Sequence, residues 1–192
     1  MIQRRRVVLS ILLCGTTRRL IEGRSFKIIK KLESQIGKRP VELIYIIDNK
    51  KRLVGTKRNN LLDMAQGKYV AFVDDDDDIS DDYVKSLLGA VQVNADVIVF
   101  DVNVSIEGGK YKKVVYDAGF KKDLNLANSF QRLPNHIMCV KRDIAKKVRF
   151  PDVQMGEDTA YAVKLKSFIK RQARISKVLY YYNFSHSISE TQ

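Results

Sequence analysis

Five consecutive aspartates directly follow an apolar run that has the composition of a buried β-strand. The run is Tyr69–Val73 and the aspartates are Asp74–Asp78. A strand that ends in this way delivers several carboxylates to one place, where like charges raise one another's pKa unless a cation compensates them. Hard divalent cations such as Mg²⁺ and Mn²⁺ take oxygen ligands and often hold phosphates as well. The alternative is a solvated acidic turn, but a cluster behind a strand in a basic chain favours a ligand site.

The charge of the chain is strongly uneven. The 192 residues carry a formal net charge of +13. Residues 1–58 contain sixteen Lys or Arg and four acidic residues, which is an excess of +12. Such an excess indicates a polyanionic partner, which can be nucleic acid, an anionic membrane surface or an anionic glycan, with general solubility as the alternative. A hydrophobic fraction of 45% is enough for one ordinary core, so we predict one domain over residues 1–192.

The first residues are similar to a secretion signal, because Arg4–Arg6 precede an apolar stretch from Val7 to Cys14. That stretch is short for a signal, no small-residue cleavage site follows, and it cannot span a bilayer. We interpret it as a buried first strand. Cys14 and Cys139 are far apart and form no metal-binding or redox pattern. We therefore expect a reduced, cytoplasmic protein.

Apolar runs alternate with helix-like segments in the first half of the chain. We predict strands at Val7–Leu13, Val41–Ile47, Tyr69–Val73 and Asp96–Val104. We predict helices at Leu20–Ile36 and Arg58–Gln66, and a third that Ser80 caps, with Asp81 and Asp82 in its first turn. This order predicts an α/β fold with a mostly parallel central sheet and helices on both faces.

The second half of the chain has a weaker pattern. Gly108–Gly109 marks a turn between two strand-like runs, and residues 118–134 are polar and are predicted to be rich in loops. A helix is predicted at Asp158–Ile169 and a final strand at Ile175–Tyr182.

Four motifs stand in a fixed order around the aspartates. Residues 55–77 begin with Gly-Thr-Lys-Arg-Asn and continue through Ala-Gln-Gly-Lys-Tyr and an apolar strand into the aspartates. This segment resembles the central signature of family 2 glycosyltransferases, which have the GT-A, Rossmann-like fold. The strand and loop Leu9–Arg18, the strand that ends at Asp48, and Gly156–Asp158 resemble three further motifs of that family. Cys14–Thr16 departs from the Pro-Thr-Tyr-like loop usual there, so an aromatic residue for base stacking is missing.

The resemblance implies a metal-dependent, inverting transfer of a sugar from a nucleotide-sugar donor, with a UDP-sugar favoured, to a hydroxyl acceptor. It implies Mn²⁺ or Mg²⁺ as the cofactor. It also implies a nucleotide-sugar-binding half at about residues 1–104 and an acceptor and catalytic half at about residues 105–192.

The resemblance assigns roles to particular residues. It places the metal at Asp76 and Asp74, over which His186 can fold back, and it makes Asp158 the general base, with Glu157 beside it. It assigns the nucleotide-sugar contacts to Gly15, Thr16, Thr17, Asp48, Lys57, Arg58, Asp74 and Asp75. His136 is placed on the acceptor side.

Each role has a structural alternative. Asp48 can simply end a strand, Arg58 can be a surface helix residue, and His186 can be an exposed tail histidine. Glu157 and Asp158 can be acids in the first turn of a helix, where the helix dipole favours them.

The acceptor is a separate question. The composition is similar to that of small glycosyltransferases carried by bacteriophages, some of which modify DNA bases. With the basic N-terminal third, this similarity favours a hydroxymethylated pyrimidine in DNA, flipped out or already exposed, in the cytoplasm of the host cell. The alternative acceptors are a cell-surface glycan and a lipid-linked sugar.

Two other functions remain open from the sequence. A sugar nucleotidyltransferase can share a similar sheet and aspartate cluster, although the chain lacks a Gly-rich triphosphate loop near the first strand. A non-enzymatic nucleic-acid-binding domain is the second possibility, and the intact aspartate run argues against it.

Overall fold

The computed structural model describes residues 6–153 and 155–185, so the predicted ligand His186 lies outside the described residues. The helices are α1 Thr17–Ile21, α2 Arg24–Ile36, α3 Val54–Met64, α4 Tyr83–Ala90, α5 Arg142–Val148 and α6 Glu157–Lys166. The strands are β1 Leu9–Thr16, β2 Val41–Asp48, β3 Tyr69–Asp74, β4 Asp78–Ile79, β5 Val97–Ile106, β6 Lys112–Tyr116, β7 Leu124–Asn125, β8 Ser129–Arg132, β9 Cys139–Lys141 and β10 Gln172–Phe184. A 3₁₀ turn, Val91–Val93, follows α4.

The described strands form one mixed sheet in the order β2-β1-β3-β9-β5-β6-β8-β7, while β10 pairs with β5 and β4. The longest pairings are parallel and join β1 to β2, β1 to β3, and β5 to β10. This arrangement confirms the predicted α/β fold with a mostly parallel central sheet. It differs from the predicted order between β3 and β5, where the short antiparallel strand β9 pairs with both. Three residues are too few to give β9 a recognisable sequence pattern.

The chain order of the first three strands determines where the helices and the strand ends lie. The chain passes from β1 to β2 and then back across β1 to β3, so right-handed crossovers put α2 and α3 on opposite faces of the sheet. On these faces α2 packs against α4, and α3 packs against α5 and α6. The parallel register brings Thr16 opposite Asp48 and Cys14 opposite Asp74. The carboxyl ends of β1, β2 and β3 therefore meet at one edge, where open α/β sheets bind ligands.

An aromatic group connects the central sheet to α6. Strands β1 and β3 are buried on both faces, which explains their continuous apolar sequences. The ring of Phe72 on β3 meets Phe150 edge to face at 5.5 Å, and Phe150 stacks on Tyr161 of α6 at 4.1 Å. Such pairs stabilise a fold beyond the area that they bury. This contact holds the start of α6 beside the end of β3.

Several helix boundaries differ from the predictions. The helix predicted over Leu20–Ile36 is two helices, because Gly23, with a φ of 81°, separates α1 from α2. Helix α3 begins at Val54 rather than Arg58, so Arg58 lies inside the helix. Strand β1 runs on to Thr16, which caps α1, so Thr16 and Thr17 do not lie in a loop as predicted.

The predicted helix cap at Ser80 is also wrong. Asp82 occupies the N-cap position of α4, and the Ser80 hydroxyl donates to its carboxylate at 2.9 Å. Residues 118–134 contain the short strands β7 and β8, and α5 was not predicted, because short elements show too few periods in a sequence. Over the described ranges, no helix has both the length and the apolar composition needed to cross a bilayer.

Candidate active site

A cavity of about 680 Å³ lies where the carboxyl ends of the central strands meet the second half of the chain. Asp74 and Asp76 line it from the end of β3, and Arg58 lines it from α3. Glu157 and Asp158 reach it from the first turn of α6. The fold therefore brings the aspartate run and the Glu-Asp motif, far apart in sequence, to one cavity.

Asp74 is paired with one side chain from α3 and one from the loop before β9. It lies 3.0 Å from Arg58 Nη2 through Oδ1 and 3.0 Å from His136 Nε2 through Oδ2. Burial alone would raise the pKa of Asp74, but Arg58 and His136 together hold it well below its usual range. His136, predicted on the acceptor side, thus lines the cavity next to Asp74 and is 6% exposed.

Arg19 holds the next two carboxylates. Its guanidinium donates to Asp75 Oδ1 and to Asp76 Oδ2, each at 2.7 Å. Asp75 also accepts from Ser25 Oγ at 2.6 Å and from the Thr16 amide at 3.3 Å. The side chain of Asp75 is fully buried and anchors the loop through these contacts. The nucleotide-sugar contact that the resemblance implies for Asp75 stays a prediction. Burial raises the pKa of Asp75, although Ser25 and Arg19 act in the opposite direction.

Asp76 is the carboxylate of the run that faces the cavity beside Asp74. Burial, reinforced by the charges of Asp74 and Asp75, raises the pKa of Asp76 to about 7 against the opposing effect of Arg19. Asp77 points away, accepting from the Tyr180 hydroxyl at 2.7 Å. Among the described residues, no group of three His, Cys, Asp or Glu side chains is arranged to hold a metal. Of the predicted metal ligands, Asp76 and Asp74 line the cavity, and His186 lies outside the described residues.

Arg58 is a buried residue at the cavity and not a surface residue. Its Nη1 donates to Glu157 Oε1 at 2.7 Å, its Nη2 donates to Asp74, and its guanidinium lies 5.4 Å from the Phe150 ring centroid. The residue is 4% exposed. Arg58 therefore joins α6 to the end of β3, and its contact with a nucleotide stays a prediction.

Glu157 and Asp158 have different surroundings, although they are adjacent. Gly156 precedes them as the helix N-cap with a φ of 81°, a conformation that favours glycine. Glu157 turns inward to Arg58, which compensates its charge, so the two acids do not form an isolated like-charged pair. Asp158 lines the cavity, and its Oδ1 accepts from the Thr159 amide at 2.7 Å. In the part of the chain that the structure describes, no cation pairs with Asp158.

Three further residues that were predicted to bind the nucleotide-sugar, Lys57, Gly15 and Asp48, contact one another or Asp75. Lys57 is fully buried, and its Nζ lies 3.1 Å from the Gly15 carbonyl oxygen and 3.5 Å from Asp48 Oδ1. The ammonium group of Lys57 is thus enclosed by protein, and the nucleotide-sugar contact assigned to Lys57 stays a prediction. Gly15 is required beneath Asp75, since a Cβ there would lie 2.8 Å from Asp75 Oδ2. Within the described residues, neither carboxylate oxygen of Asp48 accepts a hydrogen bond, although the Lys57 ammonium group lies 3.5 Å from Oδ1.

Arg19 is the functional residue that the sequence reasoning missed. In the sequence Arg19 is one of many cations in the basic N-terminal third, yet in the structure it is 3% exposed and binds two carboxylates of the run. The position of Arg19 in the sequence could have indicated this role, because Arg19 follows β1 closely and strands β1 and β3 both end at this edge. A cation there can compensate the acids at the end of β3.

The comparisons with known proteins agree with this geometry. The family model described as Glycosyl transferase family 2 matches residues 24–149 of the chain. The chain belongs to glycosyltransferase family 2. This match confirms the family to which the sequence motifs are similar, and no curated protein sequence matches the chain.

Solved structures similar to this family 2 glycosyltransferase include those of TarS from S. aureus. TarS 1–349 matches at 19% identity and a TM-score of 0.64, covering 92% of this chain and 60% of that chain. The complex of TarS 1–349 with UDP-GlcNAc matches with a TM-score of 0.65, and the complex with UDP with a TM-score of 0.59. The identity is low, so the similarity shows the GT-A fold alone, and the chain spans about three fifths of TarS 1–349.

The other half of the cavity differs in character from the aspartate edge. Its wall is largely apolar and is formed by Val102, Val104, Ile106, Val114, Phe130, Leu133, Tyr182 and Phe184. Arg132 also lines it, but its guanidinium donates to Leu124 O at 3.0 Å, Gln131 O at 2.9 Å and Asn125 Oδ1 at 2.7 Å. Like the other two arginines of the lining, Arg19 and Arg58, it is already bound to acceptors of the protein itself.

Proposed function

We propose that this family 2 glycosyltransferase moves a sugar from a UDP-sugar to a hydroxyl group with inversion at the anomeric carbon, and that it requires Mn²⁺ or Mg²⁺. The observation that carries the proposal is one cavity that is lined by Asp74, Asp76 and Asp158, the last of which has no cationic partner among the described residues. We assign the donor half to about residues 1–104 and the acceptor half to about residues 105–192.

The need for a metal follows from the charges in the lining. A donor diphosphate is anionic, and each arginine among the described residues of the lining is already engaged by carboxylates or carbonyl groups. Asp76, with Asp74 beside it, supplies the oxygen ligands that Mg²⁺ and Mn²⁺ prefer. A bound metal ion offsets the charge that develops on the leaving nucleotide. The two carboxylates and the diphosphate therefore fit a shared divalent cation.

Asp158 fits the role of general base. It faces the cavity without a cationic partner, so its carboxylate can accept the proton of an incoming hydroxyl. Glu157, fixed by Arg58, holds the first turn of α6 in position and does not take the proton. Attack by the hydroxyl on the face of the sugar opposite the leaving diphosphate would give inversion.

The donor nucleotide fits at the ends of β1 and β2. Asp48 ends β2, and its carboxylate oxygens receive no hydrogen bond within the described residues, although Lys57 lies 3.5 Å from one of them. We assign the contact with a base or a ribose to this carboxylate because of the family resemblance. A UDP-sugar is favoured because the similar TarS structures include complexes with UDP-GlcNAc and UDP.

The apolar wall of the cavity suits more than one acceptor. A flipped pyrimidine base can stack on Phe130 or Tyr182, in line with the DNA acceptor predicted from the sequence. A lipid-linked sugar can place its apolar part there instead. The two acceptors make different predictions, because DNA binding should be strong at low salt and fall steeply as salt increases.

Nucleotide release from UDP-, GDP- and dTDP-sugars with Mn²⁺ tests the reaction, with and without DNA containing 5-hydroxymethylpyrimidines. We expect release from a UDP-sugar that stops when the metal is chelated. Stimulation by the modified DNA would support the DNA acceptor, and stimulation only by lipid-linked sugars would replace it. Release that is unaffected by chelation would contradict the metal requirement, and transfer only from a nucleoside triphosphate would favour a nucleotidyltransferase.

Replacing Asp76 by Asn should reduce metal-dependent transfer by about a hundredfold or more, because the cavity loses a charged metal ligand. Mn²⁺ affinity, measured by calorimetry in the presence of UDP, should fall in parallel while the thermal unfolding transition is retained. Asp81→Asn is the matched control, since Asp81 lies in the same acidic segment but its side chain is 98% exposed. Unchanged Mn²⁺ affinity in Asp76→Asn would remove this residue from the metal site.

A further inference from the structure

Helix α1 and the first turns of α2 expose large apolar side chains beside the active site. Leu20 is 40% exposed, Phe26 is 55% exposed and Ile21 is 82% exposed. Ile21 and Phe26 lie on either side of the turn at Gly23, and the two helices are in contact. Single exposed apolar side chains are ordinary, but a group of them marks a site of interaction.

Basic residues surround these side chains. The α1–α2 surface comprises Arg18, Leu20, Ile21, Arg24, Phe26, Lys27 and Lys30. It carries four cations, whereas the nearby exposed acids number two among the described residues. Glu22 lies 3.9 Å from Arg18 and 3.1 Å from Arg24, and Glu33 lies 3.7 Å from Lys30. Lys30 Nζ also lies 5.4 Å from the ring centroid of Phe26, so cation and aromatic ring form one surface.

Hydrogen bonds connect the helices of the α1–α2 surface to the aspartate run. Arg19, on the same short helix as Ile21, bonds to Asp75 and Asp76. Ser25, next to Phe26, donates to Asp75. A partner on this surface would therefore lie within about one helix diameter of the aspartate run, since a helix with its side chains is about 10–12 Å across.

We propose that the α1–α2 surface docks this enzyme on an anionic lipid bilayer. Helices that lie at a membrane interface insert apolar side chains below the headgroups and place Lys and Arg at the phosphate level. Ile21 and Phe26 supply the inserted groups, and Arg24, Lys27 and Lys30 supply the cations. Duplex DNA satisfies the cations but offers no apolar phase for Ile21, so the exposed apolar group favours lipid over nucleic acid.

Co-sedimentation of the full chain with vesicles tests the proposal. We expect binding to phosphatidylcholine vesicles that contain phosphatidylglycerol, little binding to phosphatidylcholine alone, and weaker binding as salt increases. The double variant Ile21→Ser with Phe26→Ser should bind the anionic vesicles about tenfold more weakly or worse, because two inserted side chains are lost.

A matched double variant distinguishes binding through this surface from non-specific binding through any exposed apolar side chain. Met64→Ser with Val163→Ser removes apolar side chains of similar exposure, 55% and 60%, from α3 and α6, and should bind vesicles as the unaltered enzyme does. Equal thermal unfolding and equal hydrolysis of the donor establish that both double variants are folded. Absence of binding to the anionic vesicles, or equal binding by the Ile21 and Phe26 variant, would overturn the proposal. Loss of duplex DNA binding in that variant, with vesicle binding intact, would assign the surface to nucleic acid instead.

Discussion

Asp158→Asn is expected to lower the turnover of sugar transfer by about a hundredfold to ten-thousandfold, which is the usual contribution of a general base. Asparagine keeps the size of the side chain and its hydrogen bond from the Thr159 amide, but it cannot accept the proton of the acceptor hydroxyl. Because Asp158 is not one of the carboxylates assigned to the metal, the affinity for UDP with Mn²⁺ should not change.

Turnover at saturating donor and acceptor, together with calorimetric binding of UDP, separates these two effects. Asp143→Asn is the matched control, because Asp143 is also an acid in the first turn of a helix, but that helix is α5. The control removes the same interaction with a helix dipole and should leave turnover unchanged. A loss of transfer in Asp158→Asn smaller than tenfold would assign the proton transfer to another group.

The strands and the acidic cluster could be predicted because both depend on local sequence. The run Tyr69–Val73 is apolar for a simple reason: β3 is buried on both faces in the centre of the sheet. The side chains that follow a parallel strand gather at its carboxyl end whatever the rest of the fold does. For the same reason Asp74 and Asp76 could be placed in the site from the sequence.

The pairing of charges could not be predicted, because it depends on contacts between distant segments. Arg58 meets Glu157 across 99 positions in the chain, and Arg19 meets Asp75 across 56. Lys57 and Arg58 are adjacent in the sequence, yet one points to Gly15 and the other to the cavity. Helix α3 begins earlier than predicted, and this start places both residues within the helix and not at its exposed end.

The five aspartates show how burial divides a uniform sequence into different roles. Asp75 and Asp77 are buried and hold the loop through Arg19 and Tyr180. Asp78 pairs with Lys31 at 2.9 Å at the outer side. Only Asp74 and Asp76 of the run line the cavity among the described residues. A short acidic motif can thus contain both carboxylates that face a ligand cavity and carboxylates that hold the loop in position.

Arg58→Met should destabilise the fold by about 3–5 kcal/mol, because it leaves the buried carboxylate of Glu157 without its cation and the carboxylate of Asp74 with His136 as its one remaining side-chain partner among the described residues. Chemical denaturation measures the change in the free energy of unfolding. Arg149→Met is the matched control, since Arg149 pairs with Asp63 in two contacts at an exposed site and should lose less than about 1 kcal/mol. Similar losses in both variants would contradict the central position given to Arg58.

A second substitution tests whether charge is the cause. If Arg58 stabilises the fold by compensating Glu157, then Glu157→Gln in the Arg58→Met background should recover part of the lost stability. The same Glu157→Gln change alone should destabilise the fold, because it weakens the contact that holds α6 to β3. Opposite signs in the two backgrounds would establish that Arg58 couples the two halves of the active site through charge. Equal signs would instead mean that its packing against Phe150 holds them together.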